Sequence, residues 1–269
     1  MSGKASPTHQ DERVLYDASF YDEQRLGSYR SARIVVTMVC GIFEPRSVVD
    51  FGCGVGTWLR AFRENGVTDF LGIDGTYVSR DALEIPATAF RAEDLTGEID
   101  IGRMFDLAVC LEVGEHLPVT ASEVLVRSIA KSADAVLFSA AIPFQGGVGH
   151  VNCRPQSWWA DIFRRQGYSA FDLIRPVLWN EDQVEFWYRQ NIVIYARGRA
   201  AERASQASRS TPPFPLDIVH PAQMAREMTS VPRLLHIFDD FRLASLRRVR
   251  RALRQAAPVR RSNRRFSLD

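Results

Sequence analysis

The sequence has few of the residues that build disulfide and zinc sites. It contains only four cysteines in 269 residues, and Cys40, Cys53, Cys110 and Cys153 form no C-x-x-C pair. Closely spaced cysteines are typical of disulfide-rich secreted domains and of structural zinc sites. We therefore expect four reduced thiols, no zinc centre and a cytoplasmic protein.

Long apolar runs are also missing. No stretch approaches the roughly 18 apolar residues that a membrane-spanning helix needs, and the N-terminal residues 1–4 are not followed by the apolar core of a signal peptide. Hydrophobic residues make up 46% of the chain and charged residues 25%, which is an ordinary balance for a globular protein. The chain is long enough for one sizeable core with an appendage.

A glycine-dense turn is the most informative feature that the sequence does contain. Residues 48–58 read V-V-D-F-G-C-G-V-G-T-W, a β-branched run followed by three glycines and the start of a helical pattern. Glycine lacks a Cβ and lets the backbone approach a ligand, while the next helix presents free N–H groups. A dinucleotide-binding turn, G-x-G-x-x-G, would have glycine where this chain has Thr57. The segment instead resembles the first motif of the class I S-adenosylmethionine (SAM) dependent methyltransferases.

Three further predicted strands end in acids, in the order that this family shows. Asp74 closes the second strand, where a carboxylate can accept both ribose hydroxyls of a nucleoside. The third strand closes on Glu93 and Asp94, and the resemblance implies that Asp94 meets the adenine amino group. The fourth is followed by E-V-G-E-H-L from Glu112, a form frequent in small-molecule and glycan methyltransferases. The resemblance covers about residues 14–197 and implies these cofactor-binding residues: Asp50, Gly52, Cys53, Gly54, Gly56, Thr57, Trp58, Asp74, Gly75, Glu93, Asp94, Leu111 and Glu112.

The acceptor side is predicted to follow the fifth strand. There the chain reads G-G-V-G-H-V-N over residues 146–152, and a similar stretch occurs in methyltransferases of glycans and other hydroxyl acceptors. Transfer to a hydroxyl needs a group that removes its proton, and histidine suits this because its ordinary pKa is about 6.5. His116 and His150 are therefore the candidate catalytic residues. The alternative for His116 is a structural residue that orients its loop.

A divalent metal is a second possibility at the same place. Glu112, Glu115, His116 and His150 resemble the metal site of ubiquinone-biosynthesis O-methyltransferases and of small-RNA 3′-end methyltransferases. Carboxylates and imidazoles can hold Mg²⁺ or a transition ion, which would acidify a bound hydroxyl. Because carboxylates at this position also meet the cofactor, the sequence leaves the metal open.

Alternating strand and helix patterns predict the fold class. We expect an α/β, Rossmann-like doubly wound sheet, mostly parallel with an antiparallel last strand, whose ligands lie at the carboxyl ends of the strands. The predicted strands cover about 47–51, 69–73, 88–92, 105–111, 134–140, 168–174 and 187–197, after a helix over 24–43. The predicted organisation is a disordered N-terminus at 1–13, a SAM-binding methyltransferase domain at 14–198, a linker at 199–215 and a helical basic C-terminal extension at 216–269.

The last part of the chain is strongly basic. Residues 241–269 hold ten arginines and a single acid, a net charge of +9, and leucine and valine recur there at helical spacing. A basic amphipathic helix is typical of segments that lie on anionic membranes, bind RNA or dock on acidic partners. A solvated helix that packs its leucines on the domain is the alternative.

These features together predict a SAM-dependent methyltransferase acting on a hydroxyl of a sugar, glycolipid precursor or small metabolite. An RNA methyltransferase that grips its substrate through the basic tail is the alternative enzyme. A catalytically silent SAM-binding subunit that docks through the tail is the third reading. The fourth strand is followed by no N-P-P-Y-like or D-P-P-Y-like segment, which argues against methylation of base amino groups.

Overall fold

A single seven-stranded sheet organises the chain. The computed structural model describes residues 18–209 and 215–226. The strands are β1 Ser47–Phe51, β2 Asp69–Asp74, β3 Phe90–Ala92, β4 Leu107–Leu111, β5 Ala135–Ser139, β6 Ser169–Phe171 and β7 Val193–Ala196. The helices are α1 Ala18–Phe43, α2 Thr57–Glu64, α3 Ser122–Ala130, α4 Gln156–Arg165, α5 Arg175–Leu178, α6 Phe186–Asn191 and α7 Gly198–Ser208.

The strand order is β3-β2-β1-β4-β5-β7-β6. Strands β1 to β5 pair in parallel, whereas β7 runs antiparallel to both β5 and β6. This confirms the predicted doubly wound, mostly parallel sheet with an antiparallel last strand. The order reverses between β1 and β4, and ligands of such sheets bind in the crevice at the carboxyl ends of the strands beside this reversal.

The central strands are rich in apolar residues because helices cover both faces of the sheet. Every residue of β4 and β5 is buried. On one face α2 contributes Leu59 and Phe62 to the core. On the other face α4 packs Trp159 and Phe163 against Phe138. Two hydrophobic layers therefore hold the sheet rigid beneath its loops.

The prediction of a last strand over residues 187–197 is wrong for its first half. Helix α6 occupies Phe186–Asn191, and β7 covers only Val193–Ala196. Aromatic residues favour strands in isolation, but here Tyr188 is buried with its ring 5.0 Å from that of Trp58. Tertiary packing therefore decides the local structure of this segment.

The segment predicted as a linker, 199–215, differs from that prediction over most of its length. Helix α7 covers Gly198–Ser208, and Ala204 within it is fully buried. Alanine has the highest helix propensity, and the alanines of this stretch pack on the core. The compact unit that holds the sheet continues to Gln223. The predictions for residues 1–13 and for the basic part of the extension lie outside the described residues.

Within residues 18–209 and 215–226, no helix combines the length and apolar character needed to cross a bilayer.

Candidate functional site

The glycine-dense turn after β1 adopts a backbone that other residues rarely reach. Gly52, Gly54 and Gly56 have φ angles of 82°, 53° and 88°. A Cβ on Gly52 would lie 2.2 Å from Cγ2 of Val113, and one on Gly56 would lie 2.8 Å from Cγ1 of Ile85. On Gly54 a Cβ would meet none of the described atoms within 4 Å. Two glycines therefore seat the turn against its neighbours, and the middle one leaves its backbone open to a ligand.

Asp74, at the end of β2, is held by three donors of the protein. Its Oδ2 accepts from the Gly54 N–H at 2.6 Å, and its Oδ1 accepts from the Gly75 N–H at 2.6 Å. The hydroxyl of Tyr77 also donates to Oδ1, at 2.5 Å. The Asp74 carboxylate is thus fixed at the glycine turn, where the sequence predicts it, and Tyr77 already uses one of its acceptor positions.

Tyr77 was not foreseen from the sequence. Tyr77 is 83% exposed, although its hydroxyl donates to the buried carboxylate of Asp74. The ring lies over Gly75, where an added Cβ would come within 2.2 Å of it. A polar aromatic three residues after the acid was the one available signal.

Asp50 and Cys53 form the buried floor of the turn. Asp50 is 2% exposed, and burial together with the charge of Asp74 raises the pKa of its carboxyl well above the ordinary range. Burial likewise raises the pKa of the Cys53 thiol. Leu111, at the end of β4, is buried as well. Asp50, Cys53 and Leu111 therefore line the buried side of the turn, where burial disfavours the charged forms of Asp50 and Cys53.

Thr57 and Trp58 begin α2 directly behind the turn. The Trp58 side chain is only 7% exposed and stacks edge-on against Tyr188 in the core. The structure therefore brings the backbone of Trp58 to the loop, while its indole packs in the core.

Glu93 and Asp94 lie at the end of β3, next to Asp74. The Glu93 N–H donates to the Asp74 backbone carbonyl at 2.8 Å, while the Glu93 carboxylate pairs with Arg91. Oδ1 of Asp94 accepts from the N–H and the hydroxyl of Thr96, which lowers the pKa of Asp94. Both acids thus follow β3 beside Asp74, and part of the Asp94 carboxylate already stabilises its own turn.

Glu112 follows β4 in a strained backbone conformation. Its φ of 55° is unusual for a residue with a side chain. Its Oε2 accepts from Nε2 of Gln145 at 2.9 Å and its Oε1 from Nδ2 of Asn191 at 3.1 Å. The Glu112 N–H donates to Oγ of Ser139 at 3.1 Å. Two amides from different parts of the chain thus fix this carboxylate.

Glu115 is the most unusual acid of the site because it is fully buried. Its carboxyl lies beside that of Glu112 and the backbone of Ala141. Within the described residues, neither of its oxygens makes a hydrogen bond of ordinary geometry. Burial and the neighbouring Glu112 charge raise the pKa of Glu115 well above its usual range. A buried carboxyl in this position is stable only when protonated or beside a cation.

The two candidate histidines meet at Glu115. The ring centroids of His116 and His150 are 4.8 Å apart and the rings are nearly perpendicular, at 88°. The ring of His116 forms a hydrogen bond with the backbone of Gly149. Burial and the adjacent His116 lower the pKa of His150 to about 4, so that its ring is neutral at neutral pH. The structure brings together the residues that the sequence placed 34 positions apart.

Backbone hydrogen bonds join the loops that carry these rings. The N–H groups of Val151 and Asn152 both donate to the carbonyl of Glu115, at 2.8 and 3.0 Å. The Asn152 side chain is 2% exposed and donates to the Gly114 carbonyl and to Oγ of Ser122. Asn152 is therefore a buried brace between the loops.

The donor set at this point fits a divalent cation. Glu115, His116 and His150 each offer one ligand atom, and these atoms all lie within 4.8 Å of one another. The buried oxygens of Glu115 lack an ordinary partner in the described part of the chain. Both oxygens of Glu112 are held by amides. The fit therefore concerns Glu115, His116 and His150, not the four residues that the sequence suggested.

Comparisons with known proteins match part of the chain to a family. Residues 21–140 match a family model described as a methyltransferase domain. No curated protein sequence matches the chain.

Three solved structures illustrate the similarity in fold. The methyltransferase domain of bacterial CtHen1-C has 15% identity and a TM-score of 0.48, over 64% of this chain and 99% of that one. An O-methyltransferase family protein from Burkholderia thailandensis has 17% identity and a TM-score of 0.49, over 70% and 63%. Magnesium protoporphyrin IX methyltransferase from Synechocystis PCC 6803, with bound SAM, has 18% identity and a TM-score of 0.49, over 73% and 100%.

Proposed function

We propose that the chain is a class I SAM-dependent methyltransferase that uses SAM as its cofactor and methylates a hydroxyl of a sugar, glycolipid precursor or small metabolite; the family match to a methyltransferase domain supports this. The observation that carries this proposal is the pair of imidazoles of His116 and His150, 4.8 Å apart beside Glu115. The two histidines lie on the loops that follow β4 and β5, at the carboxyl edge of the sheet. The glycine turn, which follows β1, lies at the same edge.

The cofactor contacts follow from the groups that the turn leaves available. The open backbone at Gly54 and the free N–H groups at the start of α2 suit the methionine part of SAM. Asp74 accepts the ribose hydroxyls, which requires the Tyr77 hydroxyl to leave Oδ1. Glu93 and Asp94 then lie next to the adenine.

The chemistry requires little more than alignment and removal of one proton. The acceptor oxygen attacks the methyl carbon of SAM, the carbon–sulfur bond breaks and S-adenosylhomocysteine leaves. The hydroxyl proton passes to a ring nitrogen of His150, whose ring is neutral at neutral pH because burial and His116 lower its pKa to about 4. His116, bonded to the backbone of Gly149, holds the loop in place beside it.

A divalent cation is compatible with the same residues. Glu115, His116 and His150 would hold it, and a bound cation would lower the pKa of a coordinated acceptor hydroxyl. Elemental analysis of the purified protein tests this directly. About one ion per chain, lost in Glu115→Gln, is the result that favours metal.

The acceptor class is decided by a labelling experiment. Full-length protein is incubated with methyl-labelled SAM and separate cell fractions of lipid-linked glycan, small metabolites and RNA, with His150→Ala as the control. We expect label in the glycan or metabolite fraction and none with the variant. Label confined to RNA overturns the proposal in favour of an RNA methyltransferase. SAM binding with no label in any fraction overturns it in favour of a silent subunit.

A further inference from the structure

A buried network of amide side chains connects residues 215–223 to the candidate site. Gln190 is fully buried, and Gln145, Asn191 and Gln223 are at most 5% exposed. The Nε2 group of Gln190 lies 2.6 Å from Oε1 of Gln223 and 3.1 Å from Oε1 of Gln145. Nδ2 of Asn191 donates to the same Gln145 oxygen at 2.7 Å. Four amides from three separate parts of the sequence thus form one hydrogen-bonded cluster.

Residues 215–223 are fixed on the domain by several donors. The fully buried guanidinium of Arg175 donates to the carbonyls of Pro215 and Leu216, at 3.1 and 2.8 Å. Nε2 of Gln156 donates to the Ile218 carbonyl at 3.1 Å. The His220 N–H donates to Oε1 of Gln190 at 2.7 Å. The segment therefore has a defined position relative to α4, α5 and α6.

The cluster ends at the candidate site. Gln145 and Asn191 each donate to one oxygen of Glu112, the residue with a positive φ after β4. Gln145 also begins the loop that carries His150. A change at Gln223 can therefore reach Glu112 through Gln190 and Gln145, and Nε2 of Gln223 also donates to the Pro143 carbonyl, at 3.4 Å, just before the His150 loop.

The burial of four amides indicates that the positions of these side chains are important for the site. Each buried amide left without a partner costs about 1–3 kcal/mol, whereas apolar residues would fill the same space without that penalty. A fully satisfied polar cluster, in contrast, specifies one arrangement of the elements that it joins.

We propose that residues 215–223 support the candidate site and that Gln223, through Gln190 and Gln145, positions Glu112 and the His150 loop. This inference rests on the proposed function in one respect, namely that Glu112 and the His150 loop serve in methyl transfer. Gln223, Gln190, Gln145 and Asn191 are positioning residues, since they act through Glu112 and the loop.

The test compares two substitutions of Gln223 in the full-length protein. Gln223→Met keeps the size and removes the acceptor of Gln190, whereas Gln223→Glu keeps an oxygen at that position. Ser128→Ala is the control, because it removes a buried hydrogen bond to the Ile99 N–H on another part of the domain. Amide hydrogen exchange of residues 142–153 and methyl transfer to the fraction labelled above are measured for each.

We expect Gln223→Met to raise exchange in residues 142–153 at least fivefold and to lower kcat at least tenfold. Gln223→Glu should recover most of both, and Ser128→Ala should change neither. Wild-type exchange in Gln223→Met overturns the inference, as does faster exchange spread evenly over the whole domain or an equal effect of Gln223→Glu. Amide hydrogen exchange tests this inference even if no fraction takes label. Failure of the proposed function can therefore be distinguished from failure of the inference.

Discussion

The contacts of Asp74 lead to two substitutions with opposite effects on SAM affinity. In Asp74→Ala both ribose hydroxyls lose a charged acceptor. We expect SAM binding to weaken by about 2–4 kcal/mol, the scale of losing charge-assisted hydrogen bonds. This corresponds to a dissociation constant about 30- to 700-fold higher.

Tyr77→Phe should act in the other direction. The Tyr77 hydroxyl donates to Oδ1 of Asp74, so the ribose must displace it. A hydrogen bond to a charged group contributes about 1.5–3 kcal/mol, but Tyr77 is 83% exposed and water replaces most of that contribution. We therefore expect a gain of about 0.5–1 kcal/mol, or about two- to fivefold tighter SAM binding.

Isothermal titration calorimetry of full-length protein with SAM measures both values. Tyr29→Phe is the matched control, because it removes a tyrosine hydroxyl bonded to Glu64 rather than to Asp74. Circular dichroism must show that Asp74→Ala is folded, since Asp74 also binds the N–H groups of Gly54 and Gly75. Unchanged affinity in folded Asp74→Ala removes Asp74 from the site. Weaker binding in Tyr77→Phe would mean that Tyr77 contacts the cofactor itself.

Four further predictions follow from the loops and the tail. His150→Ala should lower kcat by about a hundredfold with nearly unchanged SAM affinity; an equal rate in steady-state assays reduces His150 to a structural residue. Gly147→Ala should also lower kcat, because its Cβ would lie 2.3 Å from Nε2 of His150. Gly66→Ala is the control and should leave kcat unchanged, because Gly66 also has a positive φ, 93°, but its Cβ would have no neighbour within 4 Å. Equal rates of the two alanine variants would contradict the close contact. Because the folded pKa of His150, about 4, lies below its unfolded value, its neutral ring should stabilise the fold above pH 6.5 and lose that contribution as pH falls towards 4. His150→Gln should therefore show a smaller decrease in melting temperature over this range, and an identical decrease refutes the assignment. Truncation before Phe241 should abolish salt-sensitive sedimentation with anionic vesicles and leave SAM binding intact. Equal sedimentation of the full-length and the truncated protein would mean that the tail has a role other than membrane binding.

The fold was predictable because its signals are local. Runs such as L-A-V-C-L in β4 are buried on both faces, and the glycines of the first turn have a backbone that L-residues avoid. The positions of Asp74, Glu112 and His150 followed, since the ends of parallel strands meet at one edge of the sheet.

The rest depends on contacts between distant residues. Tyr77, Gln145, Gln190 and Gln223 have no characteristic spacing, and glutamines are usually exposed. The roles of the three glutamines appear only when β5, α6 and residues 215–223 lie side by side, and that of Tyr77 appears only when its hydroxyl reaches the Asp74 carboxylate. The helical form of residues 186–191 also depends on packing, here against Trp58.

The most direct test of the account is to identify the atom that receives the methyl group. The protein is incubated with SAM carrying a ¹³C-labelled methyl group and with the fraction that takes label, and the product is analysed by NMR and mass spectrometry. The account predicts a methoxy carbon on a sugar, glycolipid precursor or small metabolite, formed by wild-type protein and not by His150→Ala. An N-methyl product, a product on RNA or equal yield with His150→Ala would contradict it.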